Sequence, residues 1–203
     1  IEVLVQAPAA ADRPFEQRAT YRWSAPNTLD VETLVKPQVK LANFESFLAC
    51  YFQTNFTNSL VYVSELPGRP GNAGFMAAEQ KHGTWLAFPR DAVAAALVQD
   101  GRWKFPPNPV EWVAMPRLAK PLSIRRDPAS GLTAVLMSPP EDCFAISTPY
   151  QTEAHRSMYL SLFGRDLNPG EQGRARTRLV ILSKPTDADI LSAYESYLKQ
   201  CKN

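Results

Sequence analysis

Apolar and polar side chains alternate along much of this chain of 203 residues. Successive side chains of a strand point to opposite faces, so a period of two marks a half-buried strand. Over residues 17–24, Ala19, Tyr21 and Trp23 alternate with Arg18, Thr20 and Arg22. Over residues 28–36, Leu29, Val31, Thr33 and Val35 alternate with Asp30 and Glu32. Ala25-Pro26-Asn27 joins these runs and predicts a hairpin. Pairing about that turn sets Arg22 near Asp30, so the two charges are expected to satisfy one another on a solvated face.

A second such pair lies near the C-terminus. Residues 157–163 and 174–182 read as strands, separated by the turn-rich segment 164–173. Arg174, Arg176 and Arg178 then share one face of the later strand. Shorter extended candidates are residues 47–52, 59–65, 74–79, 84–88, 110–115, 122–126, 132–138 and 144–148. Gly, Pro, Asn and Asp clusters punctuate them. Helical spacing appears twice. Asp91 is placed to cap a helix over 92–99 that Asp100-Gly101 stops. Thr186 or Asp187 is placed to cap another that runs to about Gln200, with Ile190, Leu191, Tyr194, Tyr197, Leu198 and Cys201 along one face. The expected fold is mainly β: an antiparallel β-sandwich of many short strands with a short internal helix and a C-terminal helix.

Composition narrows the class. Eighteen prolines fit a loop-rich body of short elements, because proline interrupts helices and central strands. Hydrophobic content of 45% and charge of 21% are globular values, and the length suits a single domain over 1–203. Net charge is only +2, with the cations dispersed, which argues against a nucleic-acid partner. No apolar run reaches membrane-spanning length. Cys50, Cys143 and Cys201 exclude a dense disulfide framework and leave one bridge or none. The chain opens on Ile1 with no visible signal peptide, which implies a removed leader or an excised part of a longer protein.

Several polar groups are candidates for chemistry. Glu153, His155 and Arg156 stand together where the strand at 157 begins, with Glu153 and His155 on one side of an extended segment and Arg156 on the other. A carboxylate beside an imidazole makes an acid/base pair; the alternative is a loop junction bonded to local backbone. The arginine ladder suits an anionic ligand through its planar donor forks, or else pairs with acids of a neighbouring strand. Asp100-Gly101-Arg102-Trp103 and Phe88-Pro89-Arg90-Asp91 each set an aromatic ring beside an Arg and an Asp. That combination suits a polyol, whose C–H face stacks on the ring while its hydroxyls meet the charges. Trp85, Trp103 and Trp112 have a core role as the alternative. Glu45, flanked by Phe44 and Phe47, is either a buried acid with raised pKa or an exposed strand-start residue. Glu141 and Asp142 read as two solvated loop acids. No metal-ligand spacing, cofactor fingerprint, phosphate loop or nucleophile elbow occurs, so no cofactor or metal is expected.

The closing pattern Leu167-Asn168-Pro169-Gly170-Glu171, followed by the strand at 174–182, resembles the last turn of galactose-mutarotase-like β-sandwich domains. The match covers about the last fifth of the chain. Such domains occur in aldose epimerases and as parts of polysaccharide lyases and glycoside hydrolases, with sugar held on a concave sheet face. The resemblance implies a sandwich, and a chain this short implies a C-terminal portion or a reduced version. Epimerases of this kind use a histidine acid and a glutamate base. Here only His155, with Glu153 beside it, stands at a strand rim, and the wider motifs around it are not matched.

The functional expectation is a carbohydrate-recognising domain with a binding or accessory role, bacterial and secreted or periplasmic. Arg156, Arg165, Arg176, Arg90, Arg102, Trp103 and Glu45 are its candidate ligand contacts. The alternatives are an epimerase or glycan-cleaving enzyme using Glu153 and His155, and an interaction domain with no small ligand.

Overall fold

A computed structural model describes residues 1–106 and 108–202. Thirteen strands and two helices occur among them. In chain order the strands are β1 (Glu2–Ala7), β2 (Phe15–Ala25), β3 (Thr28–Pro37), β4 (Leu41–Tyr51), β5 (Asn58–Val63), β6 (Gly74–Ala77), β7 (Trp85–Pro89), β8 (Val113–Ala114), β9 (Leu118–Arg126), β10 (Leu132–Met137), β11 (Cys143–Pro149), β12 (Ser157–Leu167) and β13 (Gly173–Ser183). Helix α1 (Ala92–Val98) follows β7 and helix α2 (Asp187–Cys201) closes the chain.

The strands form two sheets. The larger has the order β1-β2-β3-β13-β10-β9-β5-β6 and the smaller β4-β12-β11-β7-β8. Pairing is antiparallel except for the parallel contact of β7 with β8. The two sheets close on a shared core that includes Val35, Val61, Val63, Leu86, Phe88, Leu136, Ile146 and Leu160. Period-two alternation assigns the other faces. On β10, Leu136 joins this core, whereas Val135 and Met137 point outward. There they meet Leu122, Ile124 and Val180 and are covered by Ile190, Tyr194 and Tyr197 of α2. The helix face expected from spacing is therefore the one that packs. Thr186 caps α2 and forms a reciprocal capping box with Asp189.

The outer face of the smaller sheet has its own cluster, in which Ala87, Ala145 and Tyr159 pack beneath Ala94, Leu97 and Trp112. Asp91 caps α1 by accepting from the Ala94 N–H at 2.9 Å, as its position implied. Where β12 crosses Phe144 of β11, the chain needs glycine at one point. Gly164 has φ +63°, and a Cβ there would lie 2.5 Å from the Phe144 ring.

Four expectations need correction. The strand at 157 does not end at 163 but continues through an irregular register to Leu167, which shortens the predicted turn. Arg22 does face Asp30 in register, yet they bond elsewhere: Arg22 to Glu2 of β1, and Asp30 to Arg178 of β13. The strands flanking the hairpin offer each charge a closer partner. Asp142 is buried, not solvated, and accepts from Arg176 Nε at 2.8 Å. Burial raises its pKa and Arg176 opposes that rise. The segment from Glu153 to His155 is a turn and not an extended lead-in. Cys50, Cys143 and Cys201 are all free. No helix among the described residues is long and apolar enough to cross a membrane.

Candidate functional site

The start of β4 and the turn after α1 form the walls of an open pocket with apolar and charged sides. Along β4, Phe44, Leu48 and Cys50 pack toward the core between the sheets. Glu45 and Phe47 therefore project from the outer face. Asn43 sits at φ +48°, a left-handed conformation that asparagine tolerates better than most residues. Its N–H donates to Asp166 at 2.9 Å, and its carbonyl accepts from Arg102 Nη1 at 2.9 Å.

The opposite wall comes from the end of α1. Gly101 adopts φ +94°, which lets the chain turn into a single 3-10 turn over Arg102–Lys104. Within it the Arg102 N–H bonds Asp100 Oδ1 at 3.0 Å, and the Arg102 guanidinium folds back on Asp100 through Nε and Nη2. Nη1 then reaches Glu45 Oε2 at 3.3 Å across the sheet face. The hydrogen bond from Arg102 holds Asp100 below the usual carboxylate range.

Glu45 is the buried acid of the two readings. Its side chain is 7% exposed, and burial pushes its pKa up, against the pull of Ser161, Arg102 and Trp103. Oε1 is buried and has no hydrogen-bond partner. The Ser161 hydroxyl and the Trp103 ring stand near the carboxyl, but neither forms a hydrogen bond of ordinary geometry with Oε1, and a buried oxygen left in that state is costly.

Aromatic rings surround these groups. Phe47 lies 4.4 Å from Trp103 and stacks on Tyr159 at 4.8 Å between ring centres. Phe105 borders the same cavity and is 71% exposed, unusual for so large an apolar side chain. The cavity is about 620 Å³ and open, within the range of small-ligand sites.

Glu153, His155 and Arg156 gather elsewhere. His155 Nδ1 lies 3.0 Å from the Glu153 carboxylate, and the His155 N–H donates to it at 2.7 Å. Burial works against ionising Glu153, but the backbone and ring of His155 hold its pKa below the ordinary value. The imidazole packs against Trp85 at 5.3 Å. Arg156 is spent on the carbonyls of Thr54, Gln151 and Glu153. This cluster precedes Ser157, which faces Tyr51 at the far end of β4. Six residues of strand, roughly 20 Å, separate Tyr51 from Glu45.

The remaining candidates are dispersed. Arg90 bonds Asp91 and the Pro140 carbonyl. Arg165 is exposed on β12, opposite Phe44 in register. Arg176 binds Asp142, Glu141 and the Cys201 carbonyl, while Arg174 pairs with Glu32 and Arg178 with Asp30. The ladder thus follows the ion-pair alternative. Trp112 is a core residue, whereas Trp103 borders the cavity. The structure brings Glu45, Arg102 and Trp103 together, and adds Asp100, Phe47 and Phe105. Asp100 was visible in the sequence as part of a local turn. Phe105 gave no signal there.

No protein-family model and no curated protein matches the sequence. Solved structures do match in shape. An α-galactosidase of family GH36 from Geobacillus stearothermophilus, solved in complex with raffinose, has a TM-score of 0.52 at 10% identity, over 90% of this chain and 24% of that one. Slr1438 from Synechocystis has a TM-score of 0.50 at 9% identity, over 90% of this chain and 61% of its own. A galactose mutarotase related enzyme from Lactobacillus acidophilus has a TM-score of 0.48 at 10% identity, over 92% of this chain and 69% of its own. The chain thus spans less than two thirds of the first two proteins. The likeness to the first two is one of fold.

Proposed function

We propose that this chain is a carbohydrate-recognising β-sandwich domain with a binding or accessory role in glycan metabolism. Its ligand sits in the cavity between β4 and the turn after α1. The observation that carries this reading is the buried, unpartnered Glu45 Oε1 beside the Arg102–Asp100 pair, walled by Phe47, Trp103 and Phe105. Hydroxyl groups supply the donors that such acids lack, and exposed rings accept the C–H face of a pyranose. A part of an α-galactosidase solved in complex with raffinose has this shape, which supports a carbohydrate as the class of ligand. Glycan-array screening with neutral and acidic oligosaccharides tests the reading. Binding that Trp103→Ala weakens is the expected result, and absence of any bound glycan overturns it.

A second reading, turnover of a glycan, is favoured by one observation. Glu45 and Asp100 approach the same guanidinium with proton affinities moved in opposite directions. Such a division between two carboxyls is how a general acid and an ionised partner are set apart. The Glu153–His155 pair, roughly 20 Å along the sheet, lies beyond the separations of about 5–9.5 Å at which two carboxyls flank one glycosidic bond. Aryl-glycoside hydrolysis that Glu45→Gln abolishes is expected under this reading. No turnover by the native chain removes it.

A further inference from the structure

We propose that the Glu45–Arg102 cavity selects uncharged sugars and rejects uronates and sugar phosphates. This rests on the carbohydrate reading above and adds the class of glycan. A free guanidinium in a sugar pocket normally invites an anionic substituent, because its planar fork matches carboxylate and phosphate oxygens. Arg102 is not free. Asp100 occupies Nε and Nη2 at 3.0 and 2.7 Å, and Nη1 divides between the Asn43 carbonyl and Glu45. Among the described residues lining the cavity, Arg102 is the sole cation, and it faces two acids, Asp100 and Glu45.

An incoming carboxylate would have to displace Asp100 from a bond formed within its own turn, where the two residues are only two positions apart. It would then lie beside the displaced carboxylate and Glu45 together. Like charges brought together in this way disfavour the wrong partner, which makes the arrangement a rejection device as well as an attraction. A hydroxyl meets no such conflict. It donates to a carboxylate oxygen and leaves the Arg102 fork in place. The aromatic walls are neutral in this choice, since they stack on the ring of either sugar.

The test uses paired ligands: oligosaccharides of glucose, galactose and mannose, each beside its uronate counterpart, with glucose 6-phosphate as a further anion. Isothermal titration of the native chain is expected to show a neutral member binding about tenfold or more tightly than its charged partner. Asp100→Asn removes the competing negative charge and one of the two acceptors that hold the guanidinium, and is expected to narrow that ratio or invert it. A native chain that binds the uronate or phosphate member as tightly or more tightly overturns the selectivity while the carbohydrate reading stands. Failure to bind any member of either series overturns both. Because Asp100 also shapes its turn, the paired comparison on the native chain decides the matter without the variant.

Discussion

Burial sets the proton affinity of Glu45, and this gives the residue a measurable signature. Its carboxyl ionises less readily in the folded chain than at its ordinary value of 4.5. Below that pH both folded and unfolded states hold the proton, and Glu45 contributes no pH dependence. Above it the unfolded chain loses the proton first, so stability falls as pH rises through the folded value. Glu45→Gln, which cannot ionise, is expected to remove that decline in urea-denaturation midpoints measured from pH 4 to 8. An unchanged slope in the variant would show that other groups produce it. Arg125 presents the opposite case. It is fully buried between the sheets and bonds the Phe56 and Ser157 carbonyls, at 2.9 and 3.3 Å. Burial, aided by Arg156, lowers its pKa to about 10. Arg125→Ala removes the side-chain donor of the Phe56 carbonyl and leaves a cavity, while the Ser157 carbonyl keeps the Thr148 hydroxyl at 3.0 Å and relief of the buried charge offsets part of the loss. A cost of about 3 kcal/mol is expected in chemical denaturation, and a variant as stable as the native chain would contradict this account.

Elements differ in how plainly the sequence announces them. The β2–β3 hairpin was legible because one face of each strand is polar and a Pro-Asn turn joins them, and its register sets Arg22 opposite Asp30 as expected. Their bonding partners were not legible, since Glu2 and Arg178 are supplied by strands distant in sequence. Strand β1 escaped notice because no second layer covers it: Val3 and Val5 remain 46% and 53% exposed, and its residues alternate in no buried pattern. Helix α2 was legible at both its cap and its face. Thr186→Ala breaks the capping box and is expected to cost about 1 kcal/mol. Thermal denaturation compared with a Thr186→Ser control measures it, since serine retains the capping oxygen. Equal losses in both variants would assign the effect to packing of the threonine methyl.

At the scale of the whole molecule, eight strands face five, and function is assigned to the outer side of the smaller sheet. The candidate residues read from the sequence divide across the molecule. Asp100, Arg102 and Trp103 are local to one turn and were readable as a group. Glu45 joins them only because α1 returns the chain over β4, 57 residues away in sequence. Glu153 and His155 were also readable as neighbours, but the length of β4 holds them apart from that pocket. We place the sugar at the β4–α1 end of this face. Calorimetric titration of one bound neutral oligosaccharide into the native chain, Trp103→Ala and His155→Ala tests it most directly. Loss of about tenfold or more in affinity for Trp103→Ala, with His155→Ala unchanged, is the predicted result. Affinity that survives Trp103→Ala and collapses in His155→Ala would contradict the account and move the ligand to the opposite end of the sheet.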